Sequence, residues 1–255
     1  MDLFKGVGLL TERWVKGKLK VIASELGIPY SGKFSKYVLI DKFHYHLIEY
    51  LYGVPHPDLA KYDSPSRALN FVNLIKDLDK DKKSPLYIYM HYHTSGNAFS
   101  KRVIEKVKAE AEAIDTSASL LAEKIMGQLL LQLEIVLKEF DGDYLIVMAT
   151  PESSLDKESN KKIYFHEAIH VLLNENDLHF DKGWYYNEGL VTYFQAEHLV
   201  KGEMDMAEKI RLLRGMLEGQ DPKYFEYAHV WDAEFNKYSG KPKIEVIKMM
   251  LQAHG

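Results

Sequence analysis

Apolar positions recur every three or four residues over most of this chain, and that period predicts helices. Leu19, Ile22, Ala23 and Leu26 share one helical face, and Gly27 ends the run as a C-cap would. After an extended Ile28-Pro29-Tyr30-Ser31-Gly32-Lys33 loop, Tyr37, Val38, Ile40, Phe43 and Leu47 predict a second helix. Gly53-Val54-Pro55-His56-Pro57-Asp58 breaks the pattern. Asp63-Ser64-Pro65-Ser66 then starts a helix carrying Ala68, Phe71, Val72 and Ile75. From Lys101 to Phe140 the chain is helical without proline, divided near Asp115-Thr116-Ser117. Two stretches depart from this period. Leu86 to His93 alternates and is rich in aromatic residues, so it reads as a strand, with His91 and His93 on one polar face. Tyr144 to Ala149 is a short continuous apolar run, as in a buried strand. Pro151 to Lys162 is polar and reads as a loop over a cleft entrance, and helical patterning resumes at Ile163. The expected fold class is α+β and mostly helical.

The stretch from Ile163 to Phe194 carries the candidate chemistry. It contains His166-Glu167-Ala168-Ile169-His170. Residues four apart on a helix lie on one face, so His166 and His170 can present two imidazoles to one metal ion. Glu167 is placed to reach a water bound to that ion. Apolar flanks at helical spacing (Ile163, Phe165, Ile169, Leu172, Leu173) predict a buried helix. The alternative is a structural helix pair with two half-buried histidines. Glu188 follows 18 residues after His170 on the next predicted helix, within Asn187-Glu188-Gly189-Leu190 and shortly after Trp184.

This constellation resembles the gluzincin metallopeptidases. Its second half is similar to the W-x-x-E-G and N-E-G signatures of the M1 aminopeptidases and the peptidase-MA-like proteins. The interval from the second histidine to the glutamate is one residue shorter than in M1, so the likeness is to the clan rather than to M1 itself. The resemblance covers residues 157–200 well and the rest of the C-terminal half loosely. It implies a zincin-like domain, with a small sheet preceding the active-site helix and a helical C-terminal part. It also implies a Zn2+ ion held by His166, His170 and Glu188, with Glu167 as general base for peptide hydrolysis. An edge strand would pair with an extended substrate. A downstream Tyr or His would stabilise the oxyanion, and the Tyr224 to Trp231 segment offers Tyr227 first and His229 second. The G-x-M-E-N strand by which M1 enzymes hold a free amino terminus is missing, which favours an endopeptidase acting on protein or peptide.

Composition narrows the setting. The 255 residues are 46% hydrophobic and 27% charged, with a net charge of −4, as in an ordinary soluble protein. With no cysteine, any metal must be held by histidine and carboxylate. A basic n-region followed by an apolar run, and any stretch of about 20 apolar residues, are missing, so a cytoplasmic protein without a membrane span is expected. Charge is uneven, however. Between Glu12 and His46 there are seven Lys/Arg against three acids. The Leu19 to Phe43 string resembles the SAP and Rho-N-like helix–extended-loop–helix modules, which implies nucleic-acid binding through residues 12–46. A helical hairpin packed on the catalytic domain, with solvated lysines, is the alternative. His44 and His46, spaced by two, read as surface residues. The expected organisation is a 12–52 module, a 53–85 linker and helix, and an 86–255 zincin-like domain. The leading function is a zinc metallopeptidase recruited to nucleic acid by its N-terminal module. The others are a nucleic-acid-binding protein keeping a zincin-like domain for structure, and hydrolysis of some other amide.

Overall fold

The computed structural model describes residues 9–32, 36–53, 59, 62, 67–92, 95–149, 158–217 and 220–254. Among them the chain is mostly helical with one small sheet, an α+β arrangement. In order the elements are α1 (Leu9–Leu26), β1 (Tyr37–Ile40), α2 (Lys42–Tyr52), α3 (Arg67–Lys80), α4 (Pro85–Tyr92), β2 (Gly96–Ser100) and α5 (Lys101–Glu112). They continue with α6 (Leu120–Glu139), β3 (Tyr144–Ala149), α7 (Glu158–Asn174), α8 (Trp184–Leu199), α9 (Met206–Met216), α10 (Pro222–Lys237) and α11 (Lys243–His254). None of these helices is long and apolar enough to cross a membrane. The chain divides into two compact units, Lys36–Leu155 and Met1–Ser35 with Asp156–Gly255. Helix α1 and helix α2 therefore fall in different units, and the division does not follow the expected boundaries at 52/53 and 85/86. Lys33, the Gly53 to Asp58 break beyond Gly53 itself, the Asp63 to Ser66 helix start and His93 lie outside the described residues.

The Lys36–Leu155 unit holds the sheet. Its strand order is β1-β3-β2, with β1 parallel and β2 antiparallel to the central β3. Strand β3 is the expected buried run, with Leu145 to Ala149 all buried. The other two strands overturn local readings. Tyr37 to Ile40 is not the first turn of a helix. Val38 and Ile40 are buried and Tyr37 and Leu39 half-buried, a strand's alternation. The helix begins only after Asp41, whose carboxylate accepts from the His44 N–H at 3.1 Å as N-cap. Strand β2 has no local signal beyond Phe99, and its pairing with β3 makes it a strand.

Leu86 to Tyr92 is a helix rather than the expected strand. Ser84 accepts from the Tyr87 N–H at 3.2 Å, and Pro85 occupies the first turn, a start signal that outweighs aromatic β-propensity. The period is four rather than two: Leu86 and Met90 are buried, and His91 stacks on Tyr87 with ring centroids 3.9 Å apart. Helix α2 is buried continuously from His44 to Leu51, so His44 and His46 are interior residues and not surface ones. A helix apolar around most of its girth has no solvent face to give them.

In the other unit α7 and α8 form the centre. Tyr164 to Ile169 and Val171 to Leu173 of α7 are buried, as are Glu188 to Ala196 of α8. Helix α7 starts at Glu158, so the polar stretch read as a loop to Lys162 is helical over its described part. Helix α1 packs on α7, with Trp14 edge-on to Phe165 at 5.5 Å, and inserts Val15, Leu19, Ile22, Ala23 and Leu26. Its C-terminal Gly27 has φ +64°, the left-handed geometry glycine allows. Burying those five side chains at about 1.5–3 kcal/mol each, less for the alanine, ties α1 firmly to this unit.

Candidate metal centre

Helices α7 and α8 bring the three expected ligands together. His166 and His170 stand one turn apart on α7, with their Nε2 atoms 3.2 Å from each other. Glu188 on α8 places Oε2 3.0 Å from His166 Nε2 and Oε1 3.3 Å from His170 Nε2. Two nitrogens and a carboxylate oxygen about 2.0–2.1 Å from a tetrahedral zinc ion stand about 3.3 Å apart, so the observed spacing fits that ion closely. His166 and Glu188 are buried, and His170 is half-buried on the more open side.

Protons make the case sharper. His166 Nδ1 lies 3.2 Å from the side-chain oxygen of Gln195, whose amide N–H donates to the Lys162 carbonyl at 3.0 Å. The Lys162 carbonyl fixes which way the amide points. Gln195 must therefore accept, and His166 Nδ1 must carry the proton. That leaves the Nε2 lone pair of a neutral His166 facing a carboxylate oxygen and a second imidazole nitrogen. A proton or a metal ion between these three atoms holds them together in this buried place. With a proton as that cation, burial works to lower the His166 pKa. The hydrogen bond and charge of Glu188 outweigh it, aided by Glu167 and Gln195, and push it up to about 9. Burial would likewise raise Glu188. The charge of His170 and the hydrogen bonds from both imidazoles instead hold it well below the usual carboxylate range.

Glu167 is buried beside this cluster, and its negative charge is felt by both His166 and Tyr224. Tyr224, in the first turn of α10, lies nearly parallel to the His166 ring at 6.3 Å. Burial, followed by the charges of Glu188 and Glu167, pushes its phenol well above the ordinary range, so it stays protonated. The two residues expected downstream of Glu188 are placed elsewhere. Tyr227 packs on Tyr185 and Tyr186 at 5.6 and 4.9 Å, and His229 is exposed. Gln195, the partner of His166 Nδ1, belongs to none of the motifs in the sequence. The signal existed: Gln195 is seven residues after Glu188 and so on the same helical face.

The surroundings explain the letters next to Glu188. Asn187 accepts from the Phe180 N–H at 2.8 Å and donates to the Phe180 carbonyl at 2.9 Å, clamping the α7–α8 connection to α8. Gly183 opens α8 with φ +104°, where other residues are strained. Gly189 lets α10 approach: a Cβ there would stand 2.4 Å from Tyr227 Cβ and 2.7 Å from its carbonyl carbon. Trp231 donates to the Tyr186 carbonyl at 2.9 Å and completes the α8–α10 contact. The basic residues expected to meet nucleic acid largely have partners inside their own units. Lys16 pairs with Glu12, Lys18 donates to the His198 carbonyl at 2.8 Å, Lys36 lies 3.5 Å from Glu139, and Lys42 donates to the Tyr92 carbonyl at 2.6 Å. Comparison with family models, curated proteins and solved structures finds no match to the chain.

Proposed function

We propose that this protein is a zinc-dependent metallopeptidase of gluzincin type. The observation that carries the reading is the convergence of His166, His170 and Glu188 at the edge lengths of a tetrahedral site, with Gln195 holding the His166 proton on the far nitrogen. When bound, zinc would polarise a substrate carbonyl and lower the pKa of a coordinated water. Glu167 would take a proton from the attacking water as the water oxygen bonds to the carbonyl carbon. It then delivers the proton to the amine as the C–N bond breaks. The protonated Tyr224 phenol donates towards the negative charge that develops on the carbonyl oxygen. Gln195 keeps the His166 ring in the tautomer that leaves Nε2 free for the ion. A zincin-like arrangement of the α7 and α8 helices is part of this reading.

Elemental analysis and a peptide-cleavage assay test it together. The purified chain should hold one equivalent of zinc. Glu167→Gln should hold the same amount while cleavage falls about 10²–10⁴-fold, the range of a lost general base. Zinc-free protein after metal reconstitution, or undiminished cleavage by Glu167→Gln, would refute the proposal.

A further inference from the structure

A chain of rings leads from the buried ligands to solvent. The first ring is His166, which is only 5% exposed, and the second is Tyr224. Trp184 meets Tyr224 edge-on at 5.7 Å, and Tyr185 lies beside both at 5.3 and 6.5 Å. Trp184 itself is 56% exposed, whereas Trp231 of the same unit is fully buried. Trp184 stands one turn before Glu188, on the same face of α8. Tyr185 is held in place from its other sides. Its hydroxyl reaches Asp221 at 3.4 Å, and the Lys223 ammonium sits over its ring at 4.7 Å.

These residues make an open aromatic wall next to the reacting centre. Such a wall offers large apolar area at small cost in conformational entropy, and two of its rings, Tyr185 and Tyr224, are already fixed by neighbours. A peptide whose carbonyl sits at the His166–Glu188 cluster would carry its neighbouring side chain along that surface. A charged side chain there would lose water against Trp184 and Tyr224, while Tyr185 stands behind them with the Lys223 ammonium over its ring and Tyr227 stacked on it.

We infer that Trp184, Tyr185 and Tyr224 form the subsite for an aromatic or large aliphatic side chain flanking the scissile bond. The inference rests on the metallopeptidase reading, and its test separates the two. The zinc-loaded full chain is given matched peptides with Phe, Leu, Ala or Asp next to the cleaved bond. Phe and Leu peptides should be cleaved at least about tenfold faster in kcat/KM than Ala peptides, and Asp peptides slowest. Trp184→Ala should erase most of that preference, mainly through KM. Trp184→Phe should restore it. Binding is read separately in the Glu167→Gln variant: a Phe peptide should shift the tryptophan emission to the blue, and the added Trp184→Ala change should abolish the shift. Glu167-dependent cleavage with equal rates on all four peptides would overturn the subsite and leave the metallopeptidase standing. Absence of any Trp184-dependent emission shift would overturn the subsite too. Absence of zinc, or cleavage independent of Glu167, would instead overturn the metallopeptidase reading, while a Trp184-dependent emission shift would still uphold the aromatic site.

Discussion

Each unit of the molecule buries histidine beside glutamate, and the two do it in opposite ways. In the Lys36–Leu155 unit, His46 Nδ1 lies 2.7 Å from Glu49 Oε2, and the Tyr89 hydroxyl donates to the same oxygen at 3.5 Å. Asp41 and His44 form a second pair at 2.6 Å. Here each carboxylate has its own histidine. In the other unit the Nε2 atoms of two imidazoles converge on one carboxylate, all within 3.3 Å of one another. The His46–Glu49 pair is as buried as His166 and Glu188, so burial does not separate a structural pair from a candidate ligand site. The number of partners does: one histidine on one carboxylate is a closed pair, whereas two imidazoles converging on one carboxylate make the three-ligand arrangement a cation takes.

The comparison breaks most visibly in metal affinity. Glu188→Ala should lower zinc affinity by orders of magnitude in a competition titration, since it removes one of the three proposed ligands, whereas Glu49→Ala should leave affinity unchanged. Equal zinc binding by both variants would erase the distinction drawn between the two clusters.

Stability should respond in the reverse order. Glu49→Ala removes the carboxylate that meets His46 Nδ1 and the Tyr89 hydroxyl in a buried place and should cost about 1–3 kcal/mol in denaturant unfolding, the range for a lost buried hydrogen-bond partner. A loss under about 1 kcal/mol would mean that His46 does not depend on Glu49. Gly189→Ala should cost about 1–3 kcal/mol through overpacking against Tyr227. Because α10 carries Tyr224, the same change should lower peptide cleavage more than zinc binding. Cleavage and stability both at wild-type level would show that the α8–α10 approach is slack.

The smallest effect concerns acid. Burial pushes the Asp41 carboxyl up, but the hydrogen bond and charge of His44 with backbone N–H bonds hold it below the ordinary carboxylate value of 3.8. A lowered carboxyl stabilises the fold fully above its unfolded value, and that contribution is lost as pH falls through the folded one. Asp41→Asn should therefore cost a small amount of stability at neutral pH and flatten the acid limb below about pH 4, where variant and wild type converge. An unaltered acid limb would remove Asp41 as its source.

Local sequence was a good guide wherever the determining interaction is local. Helices α1, α3, α5, α6 and the α7–α8 pair follow from three-to-four spacing, and β3 from its continuous apolar run. The same spacing puts His166 and His170 on one face, and it could have shown Gln195 on the face of Glu188. It failed at β1, where the apolar set Tyr37, Val38, Ile40, Phe43 and Leu47 fits a helix about as well as a strand followed by one. It failed at α4, where alternating aromatics masked the Ser84-Pro85 start. Strand β2 could not be read at all, because its partner β3 begins more than forty residues later.

The sequence by itself determined the ligand types and their helical spacing, because residues four apart on a helix must share a face. It also excluded a thiolate site, having no cysteine to supply one. Only the tertiary structure decided which aromatic residue stands over His166, since that depends on how α10 crosses α8 at Gly189 and puts Tyr224 rather than Tyr227 beside the ring. It also decided that the basic N-terminal run is divided between two packed units. Pairings between residues far apart in the chain carry no periodic signal, so packing alone settles them.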